Sequence, residues 1–83
     1  MFYVYILHSA TLDKFYVGAS ANPRERLKKH NRKHKGFTGT ARDWEMVYRE
    51  AFTEKRLARR REMEIKSKKS RSYIEYLTAQ PNE

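Results

Sequence analysis

The chain contains no cysteine, and its 83 residues include only three glycines and two prolines. Without thiols it can build neither a disulfide framework nor a thiolate zinc site. No apolar run approaches the roughly 20 residues of a membrane-spanning helix, and Met1 leads straight into strand-like sequence rather than a signal peptide. Lipidation signals and a bulky-faced amphipathic helix are also lacking. The expectation is a cytoplasmic protein with no membrane partner. Acidic residues are scarce as well: 10 Asp plus Glu stand against 19 Lys plus Arg, a net charge of +9. A field of this sign and size selects polyanions, and nucleic acid is the commonest such partner.

Enough is present for a packed fold, since 39% of residues are hydrophobic and 13% aromatic, against 35% charged. A chain of this length buries only about 60% of the surface it exposes when unfolded. It therefore has room for one modest core, expected as a single domain over residues 1–77 with a short frayed tail over 78–83.

Residues 2 to 8, Phe-Tyr-Val-Tyr-Ile-Leu-His, and 14 to 18, Lys-Phe-Tyr-Val-Gly, are rich in aromatic and β-branched side chains and read as strands joined by a turn. A tight antiparallel hairpin with His8 opposite Asp13 sets Ile6 against Phe15, Val4 against Val17 and Tyr5 against Tyr16. Alternation then sorts an aliphatic-rich face (Phe2, Val4, Ile6, Phe15, Val17) from a tyrosine face (Tyr3, Tyr5, Tyr16). Asn22-Pro23 starts a helix, with an N-cap side chain ahead of a first-turn proline, running to about His34. Gly36 and Gly39 mark a loop through Arg42 and Asp43. Trp44 to Phe52 reads as a third strand, with Trp44, Met46 and Tyr48 alternating against Glu45, Val47 and Arg49. Thr53 is the expected cap of a long basic helix to about Lys68, and Ser70 to Leu77 forms a further short helix. The fold class is thus α+β, an α/β domain with a small three-stranded antiparallel sheet flanked by helices.

Val4-Tyr5-Ile6 and Tyr16-Val17-Gly18, a hairpin apart, resemble the two halves of the GIY-YIG signature. The run Arg26-Leu-Lys-Lys-His30 and the late segment Arg61-Glu-Met-Glu-Ile-Lys66 fall where that nuclease family keeps its arginine, histidine and metal-binding glutamate. The resemblance extends from Tyr3 to about Leu77 and looks closest to short stand-alone bacterial members, which are similar to the N-terminal nuclease domain of the excision-repair nuclease. Two departures stand out: the first motif reads Val-Tyr-Ile in place of Gly-Ile-Tyr, and no equivalent is found of the asparagine that many members place after the metal-binding helix.

The resemblance implies a DNA-repair type of endonuclease that hydrolyses phosphodiester bonds with a divalent metal, Mg²⁺ or Mn²⁺, on DNA rather than RNA. Such hydrolysis needs an activated water, a Lewis acid and positive charge where negative charge develops. Tyr16 is the candidate general base, with Tyr5 beside it to orient the nucleophile; a phenol of pKa near 10 needs a neighbouring cation for that task. Strand tyrosines equally serve as half-buried packing residues. Arg26 and His30, four apart on one helix, share a face and suit a grip on phosphate, although Lys28, Lys29, Arg32 and Lys33 make the same helix simply basic. Glu62 lies at the edge of the apolar arc formed by Leu57, Ala58 and Ile65 and is the candidate metal ligand; Glu64 falls toward solvent. Glu62 is also spaced to pair with Lys66 at i,i+4.

Arg26, Lys28, Lys29, Arg59 and Lys66 are the expected nucleic-acid contacts. They belong to a wider footprint that includes Lys55, Arg56, Arg60, Arg61, Lys68, Lys69 and Arg71, suited to touching phosphates without reading bases. Phe37 is placed to stack on a splayed base. The competing class is a non-catalytic nucleic-acid-binding module that keeps the fold and the charge. Oligomeric state leaves no signature in the sequence.

Overall fold

The computed structural model describes residues 1–32 and 41–79. His34, Phe37, Lys33, Gly36, Gly39 and the end of the tail lie outside the described residues. The element order is β1 (Phe2–Ser9), β2 (Lys14–Ser20), α1 (Pro23–His30), β3 (Trp44–Phe52), α2 (Lys55–Ser67) and α3 (Arg71–Thr78). The three strands form one antiparallel sheet in the order β2-β1-β3, the expected α+β arrangement.

β1 is central because its middle is apolar on both sides: Val4, Tyr5, Ile6 and Leu7 are all buried. A strand covered on both faces reads as such a continuous run. On one face Val4, Ile6 and Val17 pack with Ala58 and Ile65 of α2 and Leu77 of α3. On the other, Tyr5 and Leu7 pack with Ala41 and Trp44, joined by Leu27 of α1.

The hairpin register differs from the expected one by two residues: Tyr5 pairs with Gly18, Ile6 with Val17 and His8 with Phe15. An even shift leaves every side chain on its expected face. The turn slides because Ser9 stays in the strand. Its buried hydroxyl donates to Asp43 Oδ1 at 2.6 Å and accepts from the Leu12 N–H, while Asp13 closes the turn at φ 51. Arg71 holds that conformation, donating from Nη1 to the Asp13 carbonyl at 2.8 Å and from Nη2 to its Oδ1 at 2.7 Å. Asp43 Oδ2 also accepts from the backbone N–H and the hydroxyl of Thr11.

These donors pull the Asp43 carboxyl from its ordinary 3.8 to about 2, the Ser9 hydroxyl contributing most. A depressed native pKa stabilises the fold at pH values above the ordinary one, and the effect is lost as pH falls toward the native value. Asp43→Asn keeps the shape and removes the titration. Its melting temperature is therefore expected to fall less than the parent's between about pH 4 and pH 2, measured by thermal melts across that range.

β3 has the expected bounds but not a single alternation. A bulge at Val47 lets Leu7 pair with Met46 while Ile6 pairs with Tyr48. Trp44 and Met46 thus join the tyrosine face, whereas Val47 and Tyr48 both pack on the aliphatic one; the extra residue of a bulge re-aims the side chains beyond it.

Three helix ends depart from expectation. α1 stops at His30 because Asn31 turns its amide to the sheet, with Nδ2 donating to the Trp44 carbonyl at 3.0 Å and Oδ1 accepting from the Trp44 N–H at 2.7 Å. The Asn22 side chain makes no capping bond; its N–H donates to Ser20 Oγ instead. Glu54, not Thr53, is the N-cap of α2, also without a side-chain bond. Ser70 caps α3 as its type predicts, accepting from the Tyr73 N–H.

Candidate active site

The two-residue shift brings Tyr5 opposite a residue with no side chain. A Cβ on Gly18 would lie 2.7 Å from both Cζ and Oη of Tyr5 and 3.0 Å from Cε2 of Tyr16, so glycine is the residue that lets both rings occupy this place. The rings of Tyr5 and Tyr16 stand 6.4 Å apart between centroids. His30, from the last turn of α1, completes the group, 4.4 Å from the Tyr16 ring and 6.4 Å from that of Tyr5. Leu27 packs on the tyrosine face and Pro23 is buried at the start of α1, a seating that carries His30 to the site.

α2 packs against β2 and β1 through Ala58 and Ile65, and Glu62 is the half-buried carboxylate between those two anchors. Its side chain is 14% exposed, and Lys66 donates from Nζ to its Oε2 at 2.8 Å, the i,i+4 pair that the spacing allows. Glu64 points to solvent as expected and pairs with Arg61.

Burial, then the neighbouring Tyr16 and Glu62, push the pKa of the Tyr5 hydroxyl up to about 12, and the Arg26 charge partly opposes them. Tyr5 is consequently a neutral phenol near pH 7, able to donate a hydrogen bond and unable to serve as a base. Tyr5, Tyr16 and His30 are therefore brought together by contact; Glu62 is carried by α2, which packs on the aliphatic face of the sheet, and it and Arg26 are linked to the group only through the effect of their charges on the Tyr5 hydroxyl.

The donor set limits the metal it can take. No cluster of three or more His, Asp or Glu able to hold an ion is found among the described residues. A single carboxylate, Glu62, fits a hard cation such as Mg²⁺, which keeps most of its waters and takes further oxygens from a phosphate. It does not fit a tetrahedral zinc site.

The basic residues divide into two groups that the sequence does not separate. Arg26, Lys29 and Arg59 are exposed, as is Lys28, which pairs with Glu25 at 3.5 Å. Lys66 is held by Glu62. Arg61 and Arg71, expected among the phosphate contacts, are internal clamps. Arg61 binds Glu50, Glu64 and the Tyr73 hydroxyl, and these partners raise its pKa against the opposing effect of burial. Arg71 ties Asp13 and Glu75 and lies over the Phe15 ring.

Sequence reasoning did not single out Gly18, Asn31 or Asp43 for a role. Only Gly18 had a signal, as the third residue of its motif.

The family model for the GIY-YIG catalytic domain matches residues 1–74. No curated protein and no solved structure matches.

Proposed function

Since the chain belongs to the GIY-YIG family of nuclease domains, we propose that it is a divalent-metal-dependent endonuclease that hydrolyses phosphodiester bonds in DNA. The observation that carries the reading is the grouping of Tyr5, Tyr16 and His30 around Gly18, with the charges of Arg26 and Glu62 acting on Tyr5. A surface that only binds nucleic acid needs cations but no such set.

In this reading Tyr16 acts on the attacking water as the general base, with the His30 ring 4.4 Å away placed to relay the proton. Tyr5, neutral, donates a hydrogen bond that orients the nucleophile. The Arg26 guanidinium holds a phosphoryl oxygen and neutralises charge that grows in the transition state. Glu62 holds the metal, Mg²⁺ or Mn²⁺, which when bound acts as a Lewis acid and lowers the pKa of its water. Lys66 keeps the carboxylate oriented.

On the same proposal the chain groups, within the family, with the short bacterial members similar to the N-terminal nuclease domain of the excision-repair nuclease. The order and spacing of its motifs from Tyr3 to Leu77 support that placement, and with it a cytoplasmic role in DNA repair and a single catalytic domain over residues 1–77. No helix among the described residues is long and apolar enough to cross a membrane.

The test is incubation with labelled DNA and RNA of single-stranded, duplex and branched form, with Mg²⁺, with Mn²⁺ and with chelator. Metal-dependent cleavage supports the reading. Binding without cleavage of any substrate supports the second reading, a non-catalytic binding module, which is favoured by one observation: the Lys66–Glu62 pair leaves the carboxylate half neutralised.

Both readings share an expected salt dependence. Contact through phosphates makes the logarithm of affinity fall with that of salt by about 0.9 per phosphate neutralised on duplex DNA. A flat titration between low and moderate salt would assign the basic surface to something other than a polyanion.

A further inference from the structure

β2 and α2 run in opposite senses along one seam. Residues 15–17 of β2 share a cleft with Ile65 and Lys66 near the end of α2, whereas residues 19–21 share another with Lys55, Ala58 and Arg59 at its beginning. Gly18 and Glu62 each lie between the two clefts on their own element. At about 3.3 Å rise per residue, the four steps from Tyr16 to Ser20 span about 13 Å, the length of a few nucleotides.

The two ends differ in chemistry. The first cleft, of ≈ 490 Å³, has Phe15, Val17, Ile65 and Ile74 as its walls, and Tyr16 borders it. Lys14, Lys66, Lys69 and Arg71 stand around it. Lys69 reaches this position because a φ of 47 turns the chain from α2 toward α3. Two of these cations already serve carboxylates, Lys66 on Glu62 and Arg71 on Asp13 and Glu75. The cleft is thus apolar within a basic surround, which suits a flat ring carried on an anionic chain. The second cleft, of ≈ 260 Å³, is bordered by Arg26, Lys55 and Arg59 and lined otherwise by Phe2 and the small residues Ala19, Ser20, Ala21 and Ala58. None of these three cations has an ion-pair partner among the described residues. Uncompensated charge around a small polar hollow suits a phosphodiester.

We propose that this seam is a track for a single strand of nucleic acid, with one phosphodiester seated among Arg26, Lys55 and Arg59 and an unpaired base seated in the apolar cleft beside Tyr16. The inference rests on the nuclease reading in one respect, that the bond cut lies between the two seats. A base inside a duplex cannot enter the cleft without leaving its stack. Single strands, flaps and loops are therefore the substrate class, ahead of continuous duplex.

The experiment measures metal-free binding of the full chain by fluorescence anisotropy. The probe is a labelled single-stranded DNA just long enough to fill the seam in one register. It is compared with the same oligonucleotide carrying one abasic nucleotide at each position in turn, and with its duplex. Loss of one seated base is expected to weaken binding about ten-fold at a single position, and pairing into duplex to weaken it similarly.

The double variant Lys55→Gln, Arg59→Gln should lower the salt slope by about 0.7 for each phosphate of a single strand that is no longer neutralised and leave the abasic penalty in place. Ile74→Glu should erase that penalty while keeping a cooperative melt; if that variant does not fold, the abasic scan on the parent decides alone. Equal affinity for all probes overturns the track, as does an unchanged salt slope in the double variant or displacement of the probe by phosphatidylserine vesicles. Cleavage of duplex with no abasic penalty leaves the nuclease reading standing without the track. A clear abasic penalty with no cleavage of any substrate leaves the track standing without the nuclease.

Discussion

Glu62→Ala is expected to lower single-turnover cleavage by roughly 10²–10³-fold, the usual effect of removing one electrostatic stabiliser of a transition state. Metal-free affinity should hold or rise, because Lys66 is released from its 2.8 Å pair and a negative charge near the phosphate is gone. Arg26→Ala should depress cleavage on a similar scale. Its guanidinium acts where charge develops, and in ground-state binding it is one cation among many. Neither side chain anchors the core, so both variants should melt close to the parent. The measurement pairs single-turnover rates with chelator-treated binding and a thermal melt for each variant. A Glu62→Ala protein that cleaves like the parent would leave only the binding module.

Gly18→Ala is the second change with a large expected effect, although it adds a single methyl. That methyl must occupy space 2.7 Å from two atoms of Tyr5, a residue only 2% exposed whose ring has little room to retreat. Overpacking of this kind costs about 1–3 kcal/mol. The Tyr5 hydroxyl must also move, and displacement by about 1 Å at a reacting centre can cost roughly 10²-fold in rate. A melting temperature lowered together with a hundred-fold slower cleavage is the expected pair of results. Adding Tyr5→Leu removes both clashing atoms and should recover stability without recovering activity. Parent-like behaviour in both assays would show that the site tolerates a shifted Tyr5.

The faces of the hairpin were readable from alternation alone, because a register error of two residues moves no side chain across the sheet. The register itself was not readable. It depends on Ser9 and Asp43, 34 residues apart in sequence and 2.6 Å apart in space, and no local pattern reports such a bond. The same limit explains β3, where Val47 and Tyr48 are adjacent apolar residues that fit either an unbroken alternation or a bulge. It explains the arginines as well: Arg71 is separated by 58 residues from Asp13, so composition counts it with the solvated cations. Tyr5, Tyr16, Arg26, His30 and Glu62 were chosen as candidates through the order of their motifs. The glycine that shapes their pocket was visible as part of a motif, but its purpose appears only when Tyr5 is seen facing it.

The pairing of Asn31 with both backbone groups of Trp44 has a bearing on how the chain can be re-engineered. A side-chain amide here closes a ring of residues, fastening the exit of the helix that carries Arg26 and His30 to the first residue of β3. An insertion between the two fastened points hangs from a closed base. For a flexible insert each doubling of length costs only about 0.6 kcal/mol in closure entropy. A reporter peptide or a second recognition module spliced between Arg32 and Arg42 therefore inherits an anchored stem, and the positions of Arg26 and His30 stay set by that stem rather than by the length of the insert.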